Sequence, residues 1–418
     1  MADDGDEGAS ANNGDAQPPN ETTGTPDHPR KSHRVRNGVL IGILVLVLGL
    51  GTTVGLAYAQ LNGRLGHVNT TPMLGDDRPT NSASESNVRS PGDPFAGQAV
   101  NILVLGSDSR AGANSEQADD GVDGERSDTT FIAHVSADRT RIDVVSIPRD
   151  TLITIPDCTY PDGSRVPESG DRNQKFNSAF AYGSMGAKAT VASGVACTIK
   201  AVEAMSNVRI DGFVLVDFAG FTNIVNTIGG VDIFLPCAIV APKADNLNLP
   251  EGVNHLDGTT ATSYARARTG QGLGDGSDLM RIQRQQALFE AIATKVLGMN
   301  YMTDIKTLYN FVGSVADSVT TDLGSITRIA GFAYSLRDMS GKSLTFTTIP
   351  VGGAPDGINV LLQPSRDQPY WDALIFDTPL KEALPQSSTP TPTPTPTSTS
   401  GLTAPPGMIS APPNQCKG

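Results

Sequence analysis

Two runs rich in β-branched and aromatic residues, Thr129–Val135 and Ile142–Ile147, flank the polar turn Ser136–Arg141. This is the pattern of a hairpin with Ala-Asp-Arg at its tip. Val100–Leu105 is a third apolar run, ending in Gly106-Ser-Asp-Ser-Arg110, and Thr151–Pro156 extends the apolar character beyond the hairpin. Further along the period changes. Val191, Val195, Ile199, Val202 and Met205 recur at three- and four-residue steps, which predicts a helix over Ala187–Met205 with one buried face. Helical character also marks Phe176–Gly183, Phe218–Ile228 (closed by Gly229-Gly230), Thr259–Ala267, Arg281–Leu297 and parts of Tyr301–Leu336. Short strands are predicted at Phe213–Asp217, Val231–Leu235 and Leu344–Val351. Strands and helices interleave without strict βαβ order. The expected class is α/β, with a mixed, mainly antiparallel central sheet flanked by helices.

The two ends follow other patterns. Residues 1–37 are acidic and rich in Gly, Asn and Pro until a basic cluster, Arg30, Lys31, Arg34 and Arg36. Gly38–Ala59 carries no charge and has the length needed to cross a bilayer. The basic flank predicts a single-pass anchor with a cytoplasmic N-terminus, so that everything after Gln60 lies outside the cell membrane. Residues 60–98 read as a polar tether, 99–377 as the folded domain, and 378–418 as a Thr/Pro-rich tail unable to form a core.

Composition narrows the chemistry. A net charge of -13 argues against a nucleic-acid binder that works by general basicity. The four cysteines have no zinc-like spacing. Cys158 and Cys197 flank the same region and form a candidate bridge in an oxidising compartment; Cys158 with Cys237 is the alternative. Cys237 and Cys416 have no evident partners in the pattern. No phosphate-binding Walker loop, HExxH, paired CxxC or plausible Ser/His/Asp set is present, and His134 reads as a sheet residue.

What remains is a recurrence of arginines and aspartates at element ends. If the hairpin pairs in register, Arg126 and Asp128 meet Arg149 and Asp150 at its open end. Asp108 with Arg110, Lys175, and the group Arg266, Arg268, Asp278, Arg281 and Arg284 occupy similar positions. Taken singly, each is a solvated charge or a salt bridge. Together, in a chain with only 18% charged residues, they point to an anion site, with an aspartate pair able to hold a divalent ion. Phosphoryl transfer fits, because it depends on positioning and charge neutralisation.

These residues also carry a resemblance. Asn101-Ile-Leu-Val-Leu-Gly-Ser-Asp-Ser-Arg110, Arg126-Ser-Asp-Thr129, Ser146-Ile-Pro-Arg-Asp150, Lys175-Phe-Asn177, Gly229-Gly-Val-Asp232, Tyr264-Ala-Arg-Ala-Arg268 and Asp278-Leu-Met-Arg-Ile-Gln-Arg-Gln-Gln286 resemble successive motifs of the LytR-CpsA-Psr family, from about Asn101 to Leu297. The resemblance implies a Gram-positive, actinobacterial-type cell-wall ligase. Such an enzyme joins a glycopolymer from a polyprenyl-pyrophosphate carrier to peptidoglycan through a phosphodiester, releasing polyprenyl phosphate. By that analogy Asp108 and Asp128 would hold Mg²⁺, with Mn²⁺ as a substitute. Arg110, Arg126, Arg149, Lys175, Arg266, Arg268, Arg281 and Gln285 would bind the pyrophosphate. Arg149, Arg126, Arg268 and Asp150 would be catalytic, with Asp278 a second candidate base. The family further implies a lipid tunnel, for which Phe180, Val195, Ile199, Phe213, Leu215, Phe218, Phe221, Ile224 and Val225 are candidates. A pyrophosphate hydrolase and a non-catalytic binder of lipid-linked polymers are the competing expectations.

Overall fold

In the computed structural model, the hairpin supplies two neighbouring strands of a seven-stranded sheet. Its strands are β1 (Gly66–His67), β2 (Val100–Ser107), β3 (Ser127–Val135), β4 (Ile142–Ser146), β5 (Gly212–Asp217), β6 (Val319–Thr321) and β7 (Leu344–Thr348), in the order β1-β6-β5-β2-β3-β4-β7. The described residues are 56, 58–80, 92–107, 127–171, 174–186, 188–299, 305–384 and 401–416. Antiparallel pairing dominates the centre, where β2, β3 and β4 form a meander. Parallel ladders join β2 to β5, β4 to β7 and β1 to β6. The sheet is therefore mixed, with an antiparallel centre flanked by parallel pairs.

Helices cover both faces: α1 (Ser178–Ser184), α2 (Val191–Ser206), α3 (Phe218–Thr227), α4 (Gly258–Arg266), α5 (Asp278–Gly298), α6 (Ile305–Ser318), α7 (Ile326–Ser335) and α8 (Pro364–Ile375). Local chemistry sets several of their starts. Thr190 and Ser193 form a reciprocal capping box on α2, while Asp217, Asp257 and Ser277 accept backbone N–H bonds at the first turns of α3, α4 and α5.

Strand alternation divides the core. Leu103, Leu105, Ile132, Val145, Phe213 and Leu215 pack with Val195, Ile199, Phe180 and Trp371 in one large cluster. Each such fully buried side chain contributes about 1.5–3 kcal/mol relative to exposure. A second cluster lies around the two-stranded ribbon Val231–Leu235/Gly252–Leu256, with Tyr264 and Leu288 buried in it.

Both presumed spacers need correcting. Within 60–98, Leu61 and Leu65 are buried beside Ala316 and Ile326, β1 joins the sheet, and Arg78 forms a salt bridge with Glu203. Asp93 forms a buried ion pair with Arg139, whose guanidinium also donates to the carbonyls of Gln98, Ser136 and Phe95. Within 378–418, residues 401–416 lie against the second core. The Phe234 N–H donates to Ile409 O, the Ala411 N–H donates to Phe234 O, and Cys416 is bonded to Cys237. A few well-placed apolar residues and one cysteine outweigh a polar average composition in both segments. Cys158 is bonded to Cys197. The expected membrane segment 38–59 falls, except for 56, 58 and 59, outside the described residues, as do 1–37 and the Thr-Pro repeats. Among the described residues no helix is long and apolar enough to cross a membrane.

Candidate active site

Register in the hairpin brings the open ends of β3 and β4 together, since Phe131 pairs with Ser146 and each strand continues towards Asp128 and Arg149. The Arg149 guanidinium lies 3.0 Å from Asp128, 3.4 Å from Asp150 and 3.3 Å from Asp278. Asp128 also accepts from Arg268 at 2.8 Å, Asp150 accepts from Lys175 at 2.8 Å, and Asp278 pairs with Arg281. Four cations thus face three carboxylates, leaving an excess positive charge.

These groups are gathered from several elements. Arg268 follows α4, Asp278 and Arg281 occupy the first turn of α5, and Lys175 sits in a short strand paired with Leu152–Ile153. The N-terminus of α5 adds its dipole to the attraction for anions.

The electrostatics of the knot are uneven. Burial pushes the Asp128 carboxyl up, but Arg149, Arg268 and Arg281 outweigh it and hold the group below the usual carboxylate range. Asp278 goes the other way: burial raises it, Asp150 and Asp128 add to the rise, and the guanidiniums of Arg281 and Arg149 only partly oppose it. Burial, reinforced by Arg149 and Arg268, pushes Arg281 down to about 10. Arg149 is raised despite its burial, because Asp128, Asp278 and Asp150 surround it. Oδ2 of Asp278 and Nε of Arg281 are buried without a hydrogen-bond partner.

Two spaces meet at this knot. One is a cleft of about 440 Å³ lined by Arg149, Asp150, Arg268, Ser277, Asp278 and Arg281, with Gly357, Ile358 and Val360 of a hairpin (Val351–Gly353/Val360–Leu362) on its far side. Val360 N–H donates to the Asp150 carbonyl, which fixes that hairpin to the site. The other is a crevice of about 10 Å³ under α5, room for little more than one water, lined by Thr129, Phe131, Ser146, Ile282, Gln285 and Phe289. Register places Val104, Phe131 and Val214 in one row on this face, and all three are only half-buried. Phe289 packs on Phe131 at 5.3 Å and on Phe221 at 6.0 Å, so these rings close the crevice between helix and sheet.

Most of the expected lipid residues lie in the two large cores. Phe180, Val195, Ile199, Phe213 and Leu215 belong to the large core on the opposite face, and Val225 is buried in the second core. Their apolarity is real, but strand parity decides the face, and 213 and 215 have the parity of the core. Phe218 lies under the Arg266 guanidinium at 4.8 Å. Of the nine, Phe221 borders the crevice through Phe289, and Ile224 is half-buried. Phe131 and Phe289 line the crevice under α5 and were not among the expected lipid residues, while Val104 and Val214 pack beside Val100, Ile102 and Val135. Gln285 bridges the site: it accepts from Thr129 at 3.3 Å and donates to Ala265 O. Asp108, Arg110 and Arg126 lie outside the described residues. Among the described residues no three acidic, His or Cys side chains converge as a metal site, and both oxygens of Asp128 are held by arginines.

With this geometry in place, comparison with known proteins adds the lineage. The sequence model of the LytR_cpsA_psr family matches residues 58–369. The chain belongs to that family. The match begins well before the motifs at 101–297, in agreement with the part that Leu61, Leu65 and β1 play in this LytR_cpsA_psr fold. The chain is 30% identical to the cell wall biosynthesis protein LcpA of Corynebacterium glutamicum, over 60% of this chain and 50% of that protein. It is 27% identical to the polyisoprenyl-teichoic acid–peptidoglycan teichoic acid transferase TagU of Enterococcus faecalis, over 64% of this chain and 74% of that one. It thus spans about half the length of the first relative and three quarters of the second. The crystal structure of Bacillus subtilis TagV aligns with a TM-score of 0.49 at 22% identity, covering 68% of this chain and 97% of that one.

Proposed function

We propose that this protein transfers a glycopolymer from a polyprenyl-pyrophosphate carrier to peptidoglycan. The observation that carries the proposal is the convergence of Arg149, Arg268, Arg281 and Lys175 on three carboxylates beside a cleft of about 440 Å³, with the apolar side chains Phe131, Ile282 and Phe289 next to it under α5. An amphiphilic site of this kind suits a substrate whose pyrophosphate separates a lipid from a sugar. The names of the relatives, a cell wall biosynthesis protein and a teichoic acid transferase, support the same direction.

The step balances simply. A peptidoglycan sugar hydroxyl attacks the phosphorus next to the glycan, the new P–O bond forms, and the bond to the bridging oxygen breaks. Polyprenyl phosphate departs with that oxygen. Arg149, Arg268, Arg281 and Lys175 neutralise the phosphates, each charge-assisted contact contributing roughly 1.5–3 kcal/mol. The hydroxyl proton goes to a carboxylate. Asp278 suits this better than Asp150, because one of its oxygens is uncommitted and its carboxyl is raised, whereas Asp150 is held by Lys175 and Arg149. Mg²⁺ belongs to the proposal, with Asp128 and Asp108 as its carboxylates, where it would supply charge neutralisation on the pyrophosphate. Asp128 would have to exchange an arginine for the ion, so the metal fits only with ligand rearrangement. The apolar segment behind a basic cluster and the two disulfides support a membrane anchor with the domain outside.

Two predictions follow from the geometry. Phe289→Glu should weaken binding of a long polyprenyl pyrophosphate by roughly 10–100-fold while leaving inorganic pyrophosphate within about twofold, as titration calorimetry would read. Equal loss of both ligands would remove the crevice from the account. In pH profiles, the acid limb of turnover should lie above the usual aspartate range and disappear in Asp278→Asn. The same raised carboxyl holds its proton more tightly in the fold. Its stabilising contribution is therefore complete below the unfolded value and lost as pH rises through the folded one.

The transfer itself is tested on the full chain in nanodiscs, with a synthetic polyprenyl-pyrophosphate-linked sugar, peptidoglycan fragments and Mg²⁺. Mass spectrometry should find a sugar phosphate attached to the fragment. Free sugar phosphate alone would make the protein a hydrolase, and an unchanged donor would leave a binder.

A further inference from the structure

Arg284 has no part in the site as described, yet it is 1% exposed and forms no ion pair among the described residues. A buried guanidinium without a carboxylate is costly unless its donors are satisfied. Here Nη1 donates to Leu273 O at 2.6 Å and Nη2 donates to Ala267 O, while Nε is buried without a partner. Those two carbonyls bracket the loop that carries Arg268. The first is followed by Gly274 and Gly276, and the second caps the C-terminus of α4, where a cation also meets the helix dipole.

The loop's two ends are also packed, since Ala267 and Leu273 are each 1% exposed in the second core. Gly270, Gly272, Gly274 and Gly276 all have positive φ. At Gly272 a Cβ would come within 2.1 Å of Ala238 O, so the backbone is pressed against the neighbouring strand, Ile239–Ala241. On that side Gln271 and Val240 exchange two backbone hydrogen bonds. On the other side Arg284 is the clamp. The Arg268 side chain is itself 46% exposed, so packing does not hold it against Asp128. Its position depends on where the loop backbone leaves it.

We propose that Arg284 is a positioning residue: by bonding Ala267 O and Leu273 O from α5, it fixes the loop that delivers Arg268 to the anion. The inference rests on the proposed reading of Arg268 as a phosphate contact. It also explains why α5 carries Arg281, Arg284 and Gln285 close together. Arg281 faces the site, Arg284 holds the Arg268 loop, and Gln285 holds Ala265 O just before it.

The test is a double-mutant cycle on the full chain in detergent, with inorganic pyrophosphate as the probe in titration calorimetry and thermal unfolding read in parallel. Arg268→Ala, Arg284→Met, Arg284→Lys and the Arg268→Ala/Arg284→Met double variant are compared. Arg284→Met should weaken pyrophosphate by roughly the same factor as Arg268→Ala, and the double variant by no more than about twofold beyond either, since both act through one contact. Arg284→Lys, which keeps the charge but cannot span both carbonyls, should retain the fold and still bind weakly. Full additivity in the double variant would overturn the proposal, as would wild-type binding by Arg284→Met or Arg284→Lys. Where Arg284→Met does not fold, Arg284→Lys alone decides. Undiminished binding by Arg268→Ala would instead overturn the underlying reading of the anion site, and this inference with it.

Discussion

Replacing Arg149 by alanine is expected to lower glycopolymer transfer by roughly 10²–10³-fold, about 2.7–4 kcal/mol of transition-state stabilisation. Arg149 is the one described cation that reaches Asp128, Asp150 and Asp278 together. Its loss removes a fixed donor from the phosphate and also leaves three carboxylates repelling both one another and the substrate. Arg149→Lys should recover only part of the rate, because an ammonium is a point charge and cannot serve the three carboxylates as a planar fork does. Steady-state kinetics with a soluble acceptor fragment, read beside thermal unfolding, separates the two contributions. A folded Arg149→Ala variant within about threefold of wild type would take Arg149 out of the chemistry.

The second large effect concerns stability. Cys416→Ser should destabilise the protein by up to about 5 kcal/mol, the chain-entropy value for a very long closed loop. The bridge joins residues 179 apart and pins a segment whose Ala411 is fully buried and whose backbone pairs with Phe234. Cys237→Ser should cost the same, and the double variant no more than either. Denaturant unfolding reads this directly. A loss below about 1 kcal/mol would mean that hydrogen bonding and burial of 401–416 hold the strap without the bridge.

Much of the architecture was legible because local signals and tertiary outcome agree. The hairpin, the helix at Val191–Ser206, the strand Gly212–Asp217 and helix α5 appear where periodicity and caps place them. The register of that hairpin was enough to bring Asp128 to Arg149, with Lys175, Arg268 and Arg281 converging from elsewhere. Three kinds of information were not local. β6 is too short to show inside a run that reads as helix, and β1 gains meaning only from its pairing with β6. The partner of Cys237 lies beyond a polar, proline-rich stretch, so no spacing argument could find it. That Phe131 and Phe289 meet under α5 while Phe180 and Phe213 lie in the large core on the other face is decided by packing and not by any local pattern.

The measurement that bears most directly on the central claim is a crystal structure of this protein's folded part, Leu56 onward, with geranylgeranyl pyrophosphate and Mg²⁺. Both phosphates should lie against Arg149, Arg268 and Arg281, with the isoprenoid chain beneath α5 and Phe289 parted from Phe131 to admit it. Phosphates bound away from Arg149, or a chain that does not pass beneath α5, would contradict the account.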